Sequence, residues 1–155
     1  MKLLLTILFF FSVVNAQDLT NERIRKISAT KRSVYFKRGV FLSSVKKTAS
    51  NLKAIRHGYK ASNGYERLVF DFGTKKAPKV YGYKSENEKK IFIDFFNTSL
   101  GRQVQSFGNS KLVHKVEFYP VGDETLSTEV SLKGNYSIDI FYLENPGRVV
   151  IDIKN

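Results

Sequence analysis

From Leu52 to Asn155 no window of the sequence sustains a helical period over three turns. It offers instead short runs of β-branched and aromatic residues near 52–59, 66–73, 79–84, 90–96, 112–119, 126–132, 136–143 and 148–154. These runs are broken by the turn clusters SNG, TKKAP, KSENE, GNS, VGDE, KGN and ENPG. Segments this short with β-branched composition read as strands, and their number and spacing predict an all-β sandwich or barrel.

Three of the runs share one pattern: RLVFD at 67–71, KIFID at 90–94 and RVVID at 148–152. Side chains alternate across a strand, so Arg67, Val69 and Asp71 lie on one face, with Leu68, Phe70 and Phe72 on the other. The same split sets Lys90, Phe92 and Asp94 against Ile91, Ile93 and Phe95, and Arg148, Val150 and Asp152 against Val149, Ile151 and Ile153. The wholly apolar sets must face the core. Placing 52–97 over 112–155 aligns Asp94 with Asp152 and Asn97 with Asn155, and gives four strands to each copy. The expected fold is a β-sandwich of two related four-stranded antiparallel sheets from an internal duplication, because a lone copy has an apolar face it must cover.

Ahead of this domain, taken as 51–155, MKLLLTILFFFSVVNA reads as a secretory signal peptide over 1–16, with cleavage after Ala16. Its apolar run is shorter than the ~20 residues of a spanning helix, so no transmembrane helix is expected in the mature chain. Residues 17–50 hold nine Lys or Arg against Asp18 and Glu22, and read as a basic N-terminal arm with one added strand near 33–42. The whole chain carries 26 Lys and Arg against 14 Asp and Glu, a formal charge of +12. Such a field calls for a polyanionic neighbour, and an exported chain meets envelope polymers and membranes rather than nucleic acid. With no cysteine, disulfides, thiolate metal sites and a cysteine nucleophile are excluded.

On the outer faces, the charges have two readings. As cross-strand partners they would each add roughly 0.2–1 kcal/mol and fix register. As a ligand platform they would offer guanidinium, ammonium and carboxylate groups around an apolar strip. Within one strand the basic residue and the aspartate stand about 13 Å apart, too far to pair with each other.

An Ile-Arg strand start at Ile55–Arg56, then R-φ-φ-φ-D, then K/R-φ-φ-φ-D-φ-x-N, with a second copy closing in LENPGRVVIDIKN, together resemble the AMIN domain. That module occurs on bacterial cell-wall amidases and pilus secretins, and the resemblance covers about 52–155. It implies a β-sandwich, a periplasmic location and peptidoglycan binding through the outer sheet faces. The residues it reaches are Arg56, Arg67, Asp71, Asp94, Asn97, Arg148, Asp152 and Asn155, and the outer face adds Lys90. The second copy departs from the pattern, with Glu117 near the place of Arg56 and STEVSL in place of RLVFDF.

The sequence offers little to catalysis. His57 and His114 fall at near-equivalent places in the two copies, which reads as structural. No serine sits in G-x-S-x-G, and GTKKAPK lacks phosphate-loop spacing. Tyr81 and Tyr83 alternate on one strand face and Tyr59 and Tyr119 sit at strand ends, where tyrosine is a common filler. The expectation is a non-catalytic module that binds peptidoglycan, with no cofactor, no metal and no nucleic acid. The alternative is a protein-interaction component of a secretion or pilus machine in the envelope.

Overall fold

The computed structural model describes Val34–Tyr35 and residues 48–155. The leader expected over 1–16 lies outside the described residues, as does the arm expected over 17–50 apart from Val34–Tyr35 and residues 48–50. The described strands are β1 (Val34–Tyr35), β2 (Ser50–Lys60), β3 (Tyr65–Phe72), β4 (Val80–Ser85), β5 (Lys90–Phe96), β6 (Thr98–Leu100), β7 (Phe107–Gly108), β8 (Val113–Val121), β9 (Thr125–Leu132), β10 (Ser137–Leu143) and β11 (Arg148–Lys154). There is no α-helix among the described residues, only a 3-10 turn at Ala61–Asn63 closed by Gly64 at φ 63°.

The eight predicted runs are β2–β5 and β8–β11. The pattern missed β6 and β7, which lie in TSLGRQVQSFG, where apolar and polar residues do not alternate. Of the strand expected near 33–42, Val34–Tyr35 pair antiparallel with β10.

Two sheets result, ordered β1-β10-β11-β3-β2-β6 and β4-β5-β9-β8-β7. They are called sheet A and sheet B below. The expectation of two four-stranded, wholly antiparallel sheets is corrected: the sheets hold six and five strands, and β2 pairs β6 in parallel. Nor does either half of the sequence make a sheet of its own. Strands β2 and β3 join β10 and β11, while β4 and β5 join β8 and β9, so each half is split across the core.

The two halves nonetheless pair by the same rule. In sheet A, β11 sets Arg148 opposite Asp71 and Asp152 opposite Arg67; in sheet B, β5 sets Lys90 opposite Ser131 and Asp94 opposite Ser127. The β2–β3 pair carries its bulge between Leu52 and Ala54, and β8–β9 carries one between Val113 and Lys115. Asp139 faces Asp152 as Tyr81 faces Asp94.

Between the sheets, Leu68, Phe70, Phe72, Ile91, Ile93, Phe95, Val149, Ile151 and Ile153 are buried, as alternation requires. The Phe70 and Phe95 rings meet across the sheets at 5.3 Å, with Phe72 at 5.2 Å from Phe95. Each fully buried side chain of this size contributes ~1.5–3 kcal/mol, against ~0.2–1 kcal/mol for an exposed ion pair. The apolar core therefore supplies the stability, and charges on the outer faces choose among registers.

Candidate functional site

The predicted residues on strands fall on two opposite outer faces and do not converge, while Asn97 and Asn155 follow strand ends. On sheet A, Arg56 of β2, Arg67 and Asp71 of β3, and Arg148 and Asp152 of β11 stand on adjacent strands. They form cross-strand pairs. Arg67 donates to both oxygens of Asp152, from Nε at 2.6 Å and Nη2 at 2.8 Å. Arg56 does the same to Asp71, at 2.6 and 2.8 Å. The Arg67 guanidinium also lies 5.3 Å from the Tyr65 ring centroid and 5.4 Å from that of Phe141. Its hydrogen bond to Asp152 raises its pKa above the ordinary value against the opposing effect of burial. Arg148 stands opposite Asp71, but Asp71 accepts from Arg56, and the Arg148 Nε donates to the Pro146 carbonyl at 3.3 Å.

Burial on this face departs from the outward, exposed placement expected of RVVID. The side chain of Asp152 is 2% exposed, Val150 is buried beside it, and Phe141 and Asp139 of the neighbouring strand are buried as well.

Sheet B is different. Lys90 donates to Glu129 at 2.8 Å, and Asp94 accepts from the Ser127 hydroxyl at 2.5 Å. Beside them runs an aromatic strip. Tyr83 stacks on Phe92 with centroids 4.9 Å apart and planes at 21°, and Tyr81 lies 6.4 Å from Tyr83. Tyr81 and Tyr83 are 37% and 41% exposed. The register then lays a polar column alongside, with Glu129 next to Phe92, Ser127 next to Asp94, and Glu117 and Tyr119 beyond them on β8. Lys115 pairs with Glu117 at 2.6 Å. That hydrogen bond lowers the Glu117 pKa from its ordinary value of 4.5, over the opposing loss of solvation. Reduced solvation of its hydroxyl and then the charges of Glu117 and Glu129 raise the Tyr119 pKa. The face thus combines flat rings with hydrogen-bond acceptors of negative charge. The alternation of Tyr81 and Tyr83 was the signal for it. What the linear pattern lacks is the stacking on Phe92 and the placement of Tyr119 on the same face.

Asn97 does neither job directly. It ends β5 with φ at 49°, and its carbonyl accepts the Ser50 N–H at 2.7 Å, turning the chain from sheet B into sheet A. Asn97 and Phe96 line a cavity of about 290 Å³ together with Ser50, Thr74, Lys75, Lys76 and Lys79. Asn155 follows β11 and is exposed.

The histidines are not at equivalent places. His57 pairs with Leu68, whose counterpart Thr128 pairs with Phe118, whereas His114 sits in the bulge of β8. Likewise Tyr59 faces Glu66 and its counterpart is Pro120, one residue away from Tyr119, which turns the two tyrosines to opposite faces of their sheets. His57 stacks on Phe107 at 4.7 Å, with Nδ1 3.7 Å from Glu66 Oε1. Glu66, on the core side of β3, is fully buried and accepts the Leu112 N–H at 2.6 Å. Sequence reasoning passed over it, although continuing the alternation one step back from Leu68 places a carboxylate inward. Among the described residues no three His, Cys, Asp or Glu side chains cluster as metal ligands. No helix among them is long and apolar enough to cross a membrane.

No protein-family model matches the chain, and no curated protein matches it in sequence.

Proposed function

We propose that this protein is a non-catalytic, exported module that binds peptidoglycan in the periplasm, and that the outer face of sheet B is its binding face. The observation that carries this is the strip of exposed Tyr81 and Tyr83 with half-buried Phe92, flanked by Asp94, Ser127 and Glu129. Aromatic faces cover the apolar faces of sugar rings, and acceptors beside them take hydroxyl and amide protons. Sheet A is the poorer candidate, because Arg56 and Arg67 are committed to aspartates and Asp152 is out of reach of solvent. The resemblance to the AMIN domain and the net charge of +12 support the same reading. The common register and bulge of β2–β5 and β8–β11 support descent of both halves from one four-stranded unit.

The test is sedimentation of the purified protein with purified sacculi. Wild type should pellet, and Tyr83→Ala should bind about tenfold more weakly while remaining folded; burial of roughly 60 Å² of ring gives that magnitude. Wild type left in the supernatant at low salt refutes the reading.

A second reading, a protein-interaction component of an envelope machine, has one observation in its favour. Strand β10 accepts Val34–Tyr35 along its edge, while its counterpart β4 ends sheet B with no further strand among the described residues. Lys84 weighs against it: its side chain on the core side of β4 is 12% exposed, and an inward charge discourages edge pairing. Photo-crosslinking from Ser85 in envelope extracts separates the two, since this reading requires a protein adduct there.

A further inference from the structure

The cavity beside the aromatic strip sets lysines around a largely apolar wall. Its lining includes Lys75, Lys76, Lys79, Ser50, Thr74 and Phe96. Its wall is held in place. The Gly147 N–H donates to the Thr74 carbonyl at 2.7 Å and the Asn145 N–H to that of Lys75 at 2.8 Å, while the Thr74 hydroxyl donates to the Lys76 carbonyl at 2.7 Å. Gly147 lies so close that a Cβ there would meet Lys76 C at 2.3 Å. The lysines therefore project from a fixed loop, and a ligand does not have to order it. Lys76 has a distant carboxylate, Glu144, at 3.9 Å, and the Lys79 ammonium lies 5.4 Å from the Phe96 ring centroid.

Position joins the two sites. The Phe96 N–H donates to the Lys79 carbonyl at 3.0 Å, so these residues continue the row that holds Tyr81 opposite Asp94. A ligand lying along β4 and β5 passes from rings flanked by Asp94 and Glu129 into a basic hollow. Glu129 is already paired with Lys90, whereas the hollow carries three lysines with one carboxylate at 3.9 Å, so an anion is held better at the second place than at the first.

We propose that this hollow is an anion subsite that takes a carboxylate-bearing substituent of a glycan whose neutral sugar backbone lies on the Tyr81–Tyr83–Phe92 strip. The proposal rests on the glycan-binding reading of sheet B. A cavity of about 290 Å³ is at the small end for a ligand site and suits a side group rather than a chain of sugars. Lysine ammoniums hold a carboxylate as point charges, so the contribution is salt-sensitive where the stacking contribution is not.

Calorimetric titration with two probes tests it: a tetramer of N-acetylglucosamine, which is neutral, and a tetrasaccharide of alternating N-acetylglucosamine and N-acetylmuramic acid with free lactyl carboxylates. Wild type should bind the second about tenfold more tightly at low salt, the size of one charge-assisted contact. The triple variant Lys75→Gln, Lys76→Gln, Lys79→Gln should bind both with the affinity of wild type for the neutral probe. Raising salt to about 0.5 M on wild type should remove the same preference without any substitution. Equal affinity of wild type for both probes, or a preference that survives in the triple variant, overturns the subsite and leaves the strip standing. Failure of wild type to bind either probe overturns both.

Discussion

Arg67 and Arg56 make the same bidentate contact, yet removing them should have different costs. The Asp152 side chain is 2% exposed against 19% for Asp71, and the side chain of Arg67 is 38% exposed against 59% for Arg56. Arg67→Ala takes a bidentate hydrogen-bond partner from a carboxylate that water does not reach. Breaking a fully buried pair costs about 3–5 kcal/mol, and partial exposure of Arg67 reduces this to about 2–3 kcal/mol. Asp152→Ala releases a guanidinium that already touches solvent, at a cost of about 1–2 kcal/mol. Arg56→Ala should cost about 0.5 kcal/mol. The chain has no tryptophan, so urea unfolding followed by far-ultraviolet circular dichroism is the assay. With m near 1.5 kcal/mol/M, Arg67→Ala should lower the midpoint by about 1.5 M at unchanged m, and Arg56→Ala by about 0.3 M. The folded fraction of Arg67→Ala should still sediment with sacculi as wild type does. Equal midpoints for the two arginine variants would refute the burial argument, and loss of binding in folded Arg67→Ala would return sheet A to the ligand.

Glu66→Ala removes the acceptor of the Leu112 N–H, which is buried, and should cost about 2 kcal/mol in the same urea assay, whereas Glu66→Gln keeps an acceptor and should cost under about 1 kcal/mol. Gly147→Ala drives a Cβ against the Lys76 backbone, which cannot turn aside as a side chain can; it should lose about 1–3 kcal/mol and weaken the preference for the carboxylated probe. Glu117 has a folded pKa below its ordinary 4.5, so its contribution to stability is complete above that value and fades as pH falls through the folded pKa. Its side-chain carboxyl resonance should titrate below pH 4.5, and in Lys115→Ala the midpoint should move back up toward it.

How far these sites could be read from the sequence depends on what alternation encodes. It assigns each residue to a face, and that was enough for Leu68, Phe70, Ile91 and Ile151 in the core and for Tyr81 beside Tyr83 outside. It says nothing about which strand is next door. The connection of β3 to β4, residues 73–79, crosses to the other sheet, and so does the shorter one from β9 to β10, residues 133–136. Loop length alone would have caught only the first, which is why the split of each half between sheets was missed. Lateral position then decides what an identical motif becomes. RVVID lies between β10 and β3, where its aspartate is enclosed and clamps Arg67; KIFID lies next to the edge strand β4, where Phe92 is left to stack with Tyr83. Each of the three strands makes cross-strand contacts through members of this pattern, Arg67 with Asp152, Asp71 with Arg56, and Lys90 and Asp94 with Glu129 and Ser127. What distinguishes the strand beside the proposed binding face is the pair of tyrosines on its neighbour.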